Sequence, residues 1–178
     1  FGFMPFYPGP GLGGHCLPVD PIYLSWKAKL LDIEATFIDL AARINASMPR
    51  HVVEKVAAAL NDETKCVRGA RILVLGVAYK RDVADIREAP ALDIIKHLVQ
   101  RGAQVQYADP HVPEVRYDAL RLQALEATPE RLAEADCVVV VTDHSDFDYQ
   151  ALVDHARLVV DTRNVTKGRT GKARVVKL

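Results

Sequence analysis

Cys16 is the residue whose neighbours best suit it to covalent chemistry. It stands in PGPGLGGHCLPVD (8–20), where Gly13 and Gly14 free the backbone to bring a thiol against a ligand. A helix is expected to open at Asp20, and its positive end would favour a thiolate lying near it. Asp20 adds a carboxylate four residues beyond the thiol. The same residues allow plainer roles. Cys16 could be a small buried hydrophobe, and Asp20 a helix N-cap with Pro21 in the first helical position. For Asp20 the two roles can hold together. His15 either assists or faces solvent. Cys66, in a linker, and Cys137, in an expected strand, read as small buried hydrophobes.

Gly9, Gly11 and Gly14 also satisfy G-x-G-x-x-G, the spacing of a dinucleotide-phosphate loop. That loop needs a strand before it and a helix directly after it. FGFMPFYP has no strand pattern, and Pro18 stops a helix from starting at Gly14. The first apolar run that does read as a strand, RILVLGVAYK, carries only Gly76. No standard NAD site of the chain's own is therefore expected. A metal set of His15, Cys16 and Asp20 is set aside as well, because zinc needs three or four converging ligands and no second cluster is visible. No metal is expected.

The elements that must hold these groups are legible from hydrophobic period. Residues 1–19, rich in Gly, Pro and aromatics, read as an ordered loop. After a helix from Asp20 and a break near 31–34, Phe37, Leu40, Ala41, Ile44, Met48, Val52, Val56 and Leu60 mark one face of a long amphipathic helix. Pro49 should kink or divide it, with Ser47 able to cap the second part. The face is open to core packing or to a subunit interface. Beyond residue 66, apolar strands at 70–78, 103–110, 136–144 and 157–164 alternate with helices at 88–102, 128–135 and 149–156, and a terminal strand closes the chain. Gly102 is expected as a C-cap. The alternation predicts an α/β fold with a doubly wound sheet and a ligand at the strands' C-terminal ends, where VAYK, DPH, TDH and DTRN stand. The segment DHSDFD (143–148) reads as a polar, solvated loop.

Lysine plus arginine equal aspartate plus glutamate at 23 each, so no net field draws the chain to nucleic acid or an anionic membrane. No apolar run is long enough to span a bilayer. Three cysteines without a C-x-x-C pair argue against a disulfide framework and fit the cytoplasm.

Three blocks carry a resemblance. FYPGPGLGGHCLPVDPIYLSWKAK resembles the nucleophile loop and following helix of the UDP-glucose/GDP-mannose dehydrogenase family, in its C-terminal part. Within that family it is most similar to the bacterial UDP-N-acetylhexosamine (glucosamine or galactosamine) 6-dehydrogenases. VLGVAYKRDVADIREAPALDI resembles the family's G-x-[AC]-[FY]-K…D-x-R-E-[SA] segment, and VVDTRN its D-x-R turn. The blocks stand in family order and the likeness covers essentially the whole chain.

The resemblance implies oxidation of the C6 alcohol of a UDP-sugar to a carboxylate, with two NAD reduced, for surface polysaccharide synthesis. Cys16 would attack the C6 aldehyde to give a thiohemiacetal. A second hydride transfer would make a thioester, which water hydrolyses, with Asp20 orienting or activating that water. Tyr7, Gly9, Gly11 and Gly13 would wrap the nucleotide sugar, Tyr79 and Lys80 would contact it, and Arg163 would bind it. Arg87 would reach toward NAD. By composition alone Lys80, Arg87 and Arg163 are solvated surface charges. The resemblance further implies a division into 1–66, a nucleophile loop with dimerisation helices closing a central domain, and 67–178, a Rossmann-like UDP-binding domain. A homodimer through the long helix is expected. An NAD-binding domain, a lysine and an asparagine of the middle segment and an upstream arginine would all precede Phe1, so the chain alone is expected not to turn over. Alternatives are a UDP-glucose or GDP-mannose 6-dehydrogenase, and a non-catalytic dimeric nucleotide-binding module. Val19, where a lysine commonly stands in UDP-glucose enzymes, argues against the first.

Overall fold

The computed structural model describes residues 2, 5 and 7–178, so the loop expected over 1–19 lies partly outside the described residues. Two helices come first, α1 (Asp20–Lys29) and α2 (Thr36–Asp62). They are joined at their near ends by Asp39, which accepts from Ser25 Oγ at 2.6 Å and from Lys29 Nζ at 2.7 Å. There follow β1 (Arg71–Leu75), α3 (Pro90–Gln100), β2 (Gln104–Ala108), β3 (Glu114–Tyr117), β4 (Leu120–Gln123), α4 (Pro129–Glu134), β5 (Cys137–Val140), α5 (Tyr149–His155), β6 (Leu158–Asp161) and β7 (Arg174–Lys177).

Five strands form one parallel sheet in the order β2-β1-β5-β6-β7. Its interior strands are continuous apolar runs because both faces are covered. Ile72, Val74, Val139 and Val160 point to one face, where α2 and α3 supply Val56, Leu60, Ile95 and Leu98. Leu73, Leu75, Val138, Val140 and Val159 point to the other, against Leu132 of α4 and Leu152 of α5. This period-2 division makes the sheet doubly wound, as expected. Val52, Val53, Val56 and Leu60, all on the N-terminal side of residue 66, share one core with the sheet.

Several local expectations need correction. The α1 helix begins at Asp20 itself, with Val19 as N-cap, so Asp20 makes no capping bond and only its charge favours the helix start. Pro49 lies buried inside α2 without dividing it, and Ser47 Oγ donates to Ile44 O at 2.7 Å instead of capping a new helix. Burial of the turns after Pro49 against α3 and the sheet outweighs the lost backbone bond. Cys66 is exposed, in the turn after α2, whereas Cys137 is fully buried and its thiol is pushed up to about 12 by that burial. Arg101 is the C-cap of α3, with Gly102 following at φ +86°. The antiparallel hairpin β3–β4 was not expected, although Val115, Tyr117, Leu120 and Leu122 alternate with polar residues across it.

Candidate functional site

Because β2 and β5 leave β1 on opposite sides, the crevice beyond the C-terminal ends of β1 and β5 is where a ligand would ordinarily enter such a sheet. Here it is filled from within. Buried Asp109, just beyond β2, accepts from Val77 N at 2.7 Å and Ala78 N at 3.2 Å, and from His111 N and Val112 N. It also bonds His144 Nε2 at 3.0 Å, while His144 Nδ1 accepts from Asp82 N at 3.0 Å. Nδ1 being an acceptor, the proton of this fully buried imidazole sits on Nε2 and points at Asp109. Burial pushes the Asp109 pKa up, but the bonds from His144 and the backbone outweigh it and hold the carboxyl below its ordinary range. Gly76 is obligatory where this loop turns, since a Cβ there would lie 2.3 Å from Thr142 O at φ +80°.

This plug decides what the crevice can hold. The N–H groups of Gly76, Val77 and Ala78, which a dinucleotide pyrophosphate would need, are already spent on Ala108 O and Asp109. The residues present therefore do not fit NAD at this position. The opening glycines do not form such a cradle either: the described residues before Gly9 are not in a strand, and the next helix waits until Asp20.

The candidate site lies instead beside the plug, where the opening loop crosses the sheet's C-terminal rim. Gly14 N donates to Arg87 O at 2.9 Å. A Cβ at Gly13 would stand 2.7 Å from both Tyr79 Cβ and Glu88 O, so the loop is pressed onto the β1 loop and the start of α3. Leu12 N donates to Asn45 Oδ1 at 2.7 Å, one turn before Pro49, at the level of α2 where Pro49 leaves Asn45 O without a helical donor. At the other end of the loop, a Cβ on Gly9 would meet Arg163 Nη1 at 3.0 Å.

The structure thus sets Gly9 against Arg163 and Gly13 against Tyr79 at the two ends of the loop, with Gly11 between them against Pro90. Arg163 is half-buried and held by its Nε–H bond to Val141 O at 2.9 Å; burial lowers its pKa. The buried carboxylate of Asp161 aims it, accepting from Arg163 N, Val165 N, Thr166 N and Thr166 Oγ1. A recess of about 580 Å³ opens here, lined by Tyr7, Gly9, Leu12, Ile44, Met48 and Arg163. Lys80 is exposed, its Nζ 5.3 Å from the centre of the Tyr79 ring. Arg87 is exposed and ion-paired with Asp85 at 2.6 Å, on the same segment that anchors Gly14. Cys16 is exposed two residues beyond Gly14, and its carbonyl accepts from Val19 N and Asp20 N in the turn that starts α1. Tyr7 is 82% exposed and makes the open end of the loop.

Sequence reasoning missed Asp109, His144, Asn45 and the bonding of Asp161. The 143–148 segment corrects the solvated-loop reading in part: Ser145, Asp146 and Asp148 are exposed, but His144 is completely buried. The strand-end polar runs DPH, TDH and DTRN contained the signal, since a carboxylate ending an apolar parallel strand has the next loop's N–H groups within reach.

Comparison with known proteins places this geometry. Residues 73–168 match the UDP-binding domain of the UDP-glucose/GDP-mannose dehydrogenase family, and residues 1–47 match its central domain. A UDP-N-acetyl-D-mannosamine dehydrogenase of Methanococcus maripaludis is 34% identical over 166 residues, 89% of this chain and 36% of that protein. A UDP-N-acetyl-D-glucosamine 6-dehydrogenase of Pseudomonas aeruginosa is 34% identical over 149 residues, 83% of this chain and 34% of its own length. The solved structure of a UDP-D-ManNAc dehydrogenase from Pyrococcus horikoshii superposes with a TM-score of 0.81 at 29% identity, covering 97% of this chain and 40% of that one. The chain thus spans little more than a third of the length of these relatives. With both its sheet domain and its opening segment matched in order, the chain belongs to the UDP-glucose/GDP-mannose dehydrogenase family.

Proposed function

We propose that this chain is the nucleotide-sugar-binding and nucleophile-bearing part of an NAD-dependent UDP-N-acetylhexosamine 6-dehydrogenase. The observation that carries the reading is the docking of the glycine loop, with Gly9 against Arg163 and Gly13 against Tyr79, on the rim where a half-buried cation faces a recess. A half-buried arginine whose backbone is pinned by Asp161 suits a diphosphate oxygen, because its fork is pre-organised before the ligand arrives. Gly9, Gly11 and Gly13 let that ligand lie against backbone, with Tyr7, Tyr79 and Lys80 closing over its base and sugar. Residues 1–66 carry the nucleophile and the glycine loop, and residues 67–178 supply Tyr79, Lys80 and Arg163.

In the chemistry itself Cys16 Sγ forms a bond to the C6 carbonyl carbon, and the carbonyl oxygen becomes the hydroxyl of a thiohemiacetal. After oxidation, Asp20 orients the water that releases the carboxylate and returns the thiol. The oxidations need NAD, for which the crevice of this sheet has no free donors. They are assigned to a part of the whole protein outside this chain, toward whose cofactor the exposed Arg87 reaches. The exposed N-terminal half of α2 serves as the homodimer surface. The relatives named for UDP-linked N-acetylhexosamines favour that substrate class over UDP-glucose or GDP-mannose.

Calorimetric titration with UDP, UDP-N-acetylglucosamine, GDP and NAD tests the reading. Uridine ligands are expected to bind, with GDP and NAD weak or silent. Arg163→Met should weaken uridine binding by roughly tenfold to a hundredfold, the worth of about 1.5–3 kcal/mol for a charge-assisted bond. Equal affinity of wild type and Arg163→Met would overturn the assignment of Arg163. In the full-length protein, Cys16→Ala should abolish uronate formation, and activity surviving that change would refute the covalent route.

A further inference from the structure

The loops after β1, β2 and β5 bring ligand atoms of Asp82, His111 and His144 within 4.8 Å of one another on the rim, and Asp146 reaches His111 from the loop after β5. Among the described residues, His111 Nε2 is the one buried side-chain polar atom without a hydrogen-bond partner. It lies 3.4 Å from Asp146 Oδ2 and 3.9 Å from Asp82 Oδ1, bonded to neither. Buried polar atoms are otherwise satisfied almost without exception, so this orphan needs an explanation.

The surroundings suit a cation. Asp82 is held from behind by Ser145, whose N donates to Oδ1 at 2.8 Å and whose Oγ donates to Oδ2 at 2.7 Å. Those bonds fix the carboxylate in place on the rim. Arg81 is taken by Asp143, and among the described residues no lysine or arginine pairs with Asp82 or Asp146. His144 Nδ1, 3.8 Å from Asp82 Oδ1, is occupied by Asp82 N–H and so is not a free donor. Its ring instead packs on His111, with centroids 4.8 Å apart, and fixes the His111 orientation.

We propose that His111 Nε2 and the carboxylates of Asp82 and Asp146 form a site for one divalent transition-metal ion of the zinc class, with water completing the coordination. Ligand atoms bound at about 2.0–2.2 Å stand roughly 3–3.5 Å apart. His111 Nε2 is already 3.4 Å from Asp146 Oδ2 and 3.9 Å from Asp82 Oδ1, and the exposed Asp146 carboxylate is the donor that must swing in to complete the set. One imidazole with two carboxylates suits zinc, cobalt or nickel, whereas magnesium and calcium prefer oxygen donors alone. A bound ion would tie the loop carrying Tyr79 and Lys80 to the loops after β2 and β5. It takes no part in the chemistry proposed for Cys16, and the two readings stand or fall separately.

The test is titration calorimetry of this chain with ZnCl2 and with MgCl2, in a Cys16→Ser/Cys66→Ser background so that exposed thiols do not capture zinc. One saturable zinc equivalent with no magnesium response is expected. His111→Ala and Asp146→Asn should each weaken it by about tenfold or more. Asp146 is exposed, so its variant remains decisive if His111→Ala disturbs folding. Absence of zinc binding overturns the site. So does zinc affinity unchanged by Asp146→Asn and by a folded His111→Ala, because the zinc would then sit elsewhere.

Discussion

The two halves of α2 carry one apolar stripe and meet different environments. Val52, Val56 and Leu60, after Pro49, are wholly buried between α3 and the sheet. Phe37, Leu40 and Ile44, before it, are 87%, 42% and 56% exposed. Period and residue type are the same in both halves, so neither decides burial. What differs is what the chain brings to each half: a five-stranded sheet to one, and only α1 and the opening loop to the other. An amphipathic stripe states that a face wants cover, and not what covers it.

The largest effect that would sharpen this contrast is Leu60→Ala. Removing a fully buried leucine from a close-packed core should cost about 2–5 kcal/mol, read as a lower urea midpoint with an unchanged slope. A loss under about 1 kcal/mol would mean that the C-terminal half of α2 is not part of the sheet's core.

Next comes Asp109→Asn, which turns one of two accepting oxygens into an NH2 and so strands either Val77 N, Ala78 N and His144 Nε2 or His111 N and Val112 N. With donors left unpaired in a dry crevice, it should cost about 2–4 kcal/mol at pH 7. The sign with pH follows from a folded pKa held below the ordinary carboxylate value. Asp109 contributes its full stability above about pH 3.9, and the contribution is lost as pH falls through the lower folded value. The gap between wild type and Asp109→Asn should therefore narrow in acid. Urea midpoints at pH 7 and pH 3 check it, and a gap independent of pH would mean that Asp109 is not the ionised hub of this crevice.

Gly13→Ala should cost less in stability and more in binding. The added methyl meets Tyr79 Cβ and Glu88 O at 2.7 Å, so the loop must lift from the rim while the sheet keeps its core. A stability change of about 1 kcal/mol or less is expected, with uridine-ligand affinity falling by about tenfold or more. Unchanged affinity would detach the loop from the proposed site.

These cases also mark what could be read from residues alone. The strands were legible because parallel strands covered on both faces must be apolar throughout, and ILVLG (72–76) is such a run, short and bounded by polar residues and glycine. The loop's docking was not, since Gly13 meets Tyr79 and Glu88 only through tertiary contact. Asp109 and His144 stand 35 residues apart, and an aspartate and a histidine at strand ends look solvated until the crossover folds them inward. Pro49 misled for a related reason. Its cost to a helix is local, about 3 kcal/mol, and the burial of Val52, Val53, Val56 and Leu60 that outweighs it is not.

The smallest stability effect carries the sharpest test of the comparison. Phe37→Ser/Ile44→Ser removes two large side chains from the exposed half of the same stripe. If nothing in this chain covers them, the folded protein loses no burial and its urea midpoint should shift by no more than about 0.5 kcal/mol. Self-association should respond instead. Phe37, Leu40 and Ile44 line the recess beside Arg163, and burying them against a second copy would remove a contiguous apolar patch from water at about 25 cal/mol per Å². Sedimentation velocity should show wild type associating and the double variant monomeric. A fall in the urea midpoint comparable to Leu60→Ala would mean that both halves of α2 face the molecule's own core. A variant that stays fully stable and associates as wild type does would remove the homodimer from this helix face. Only stability kept and association lost together make one stripe serve two partners, the sheet behind Pro49 and a second subunit before it.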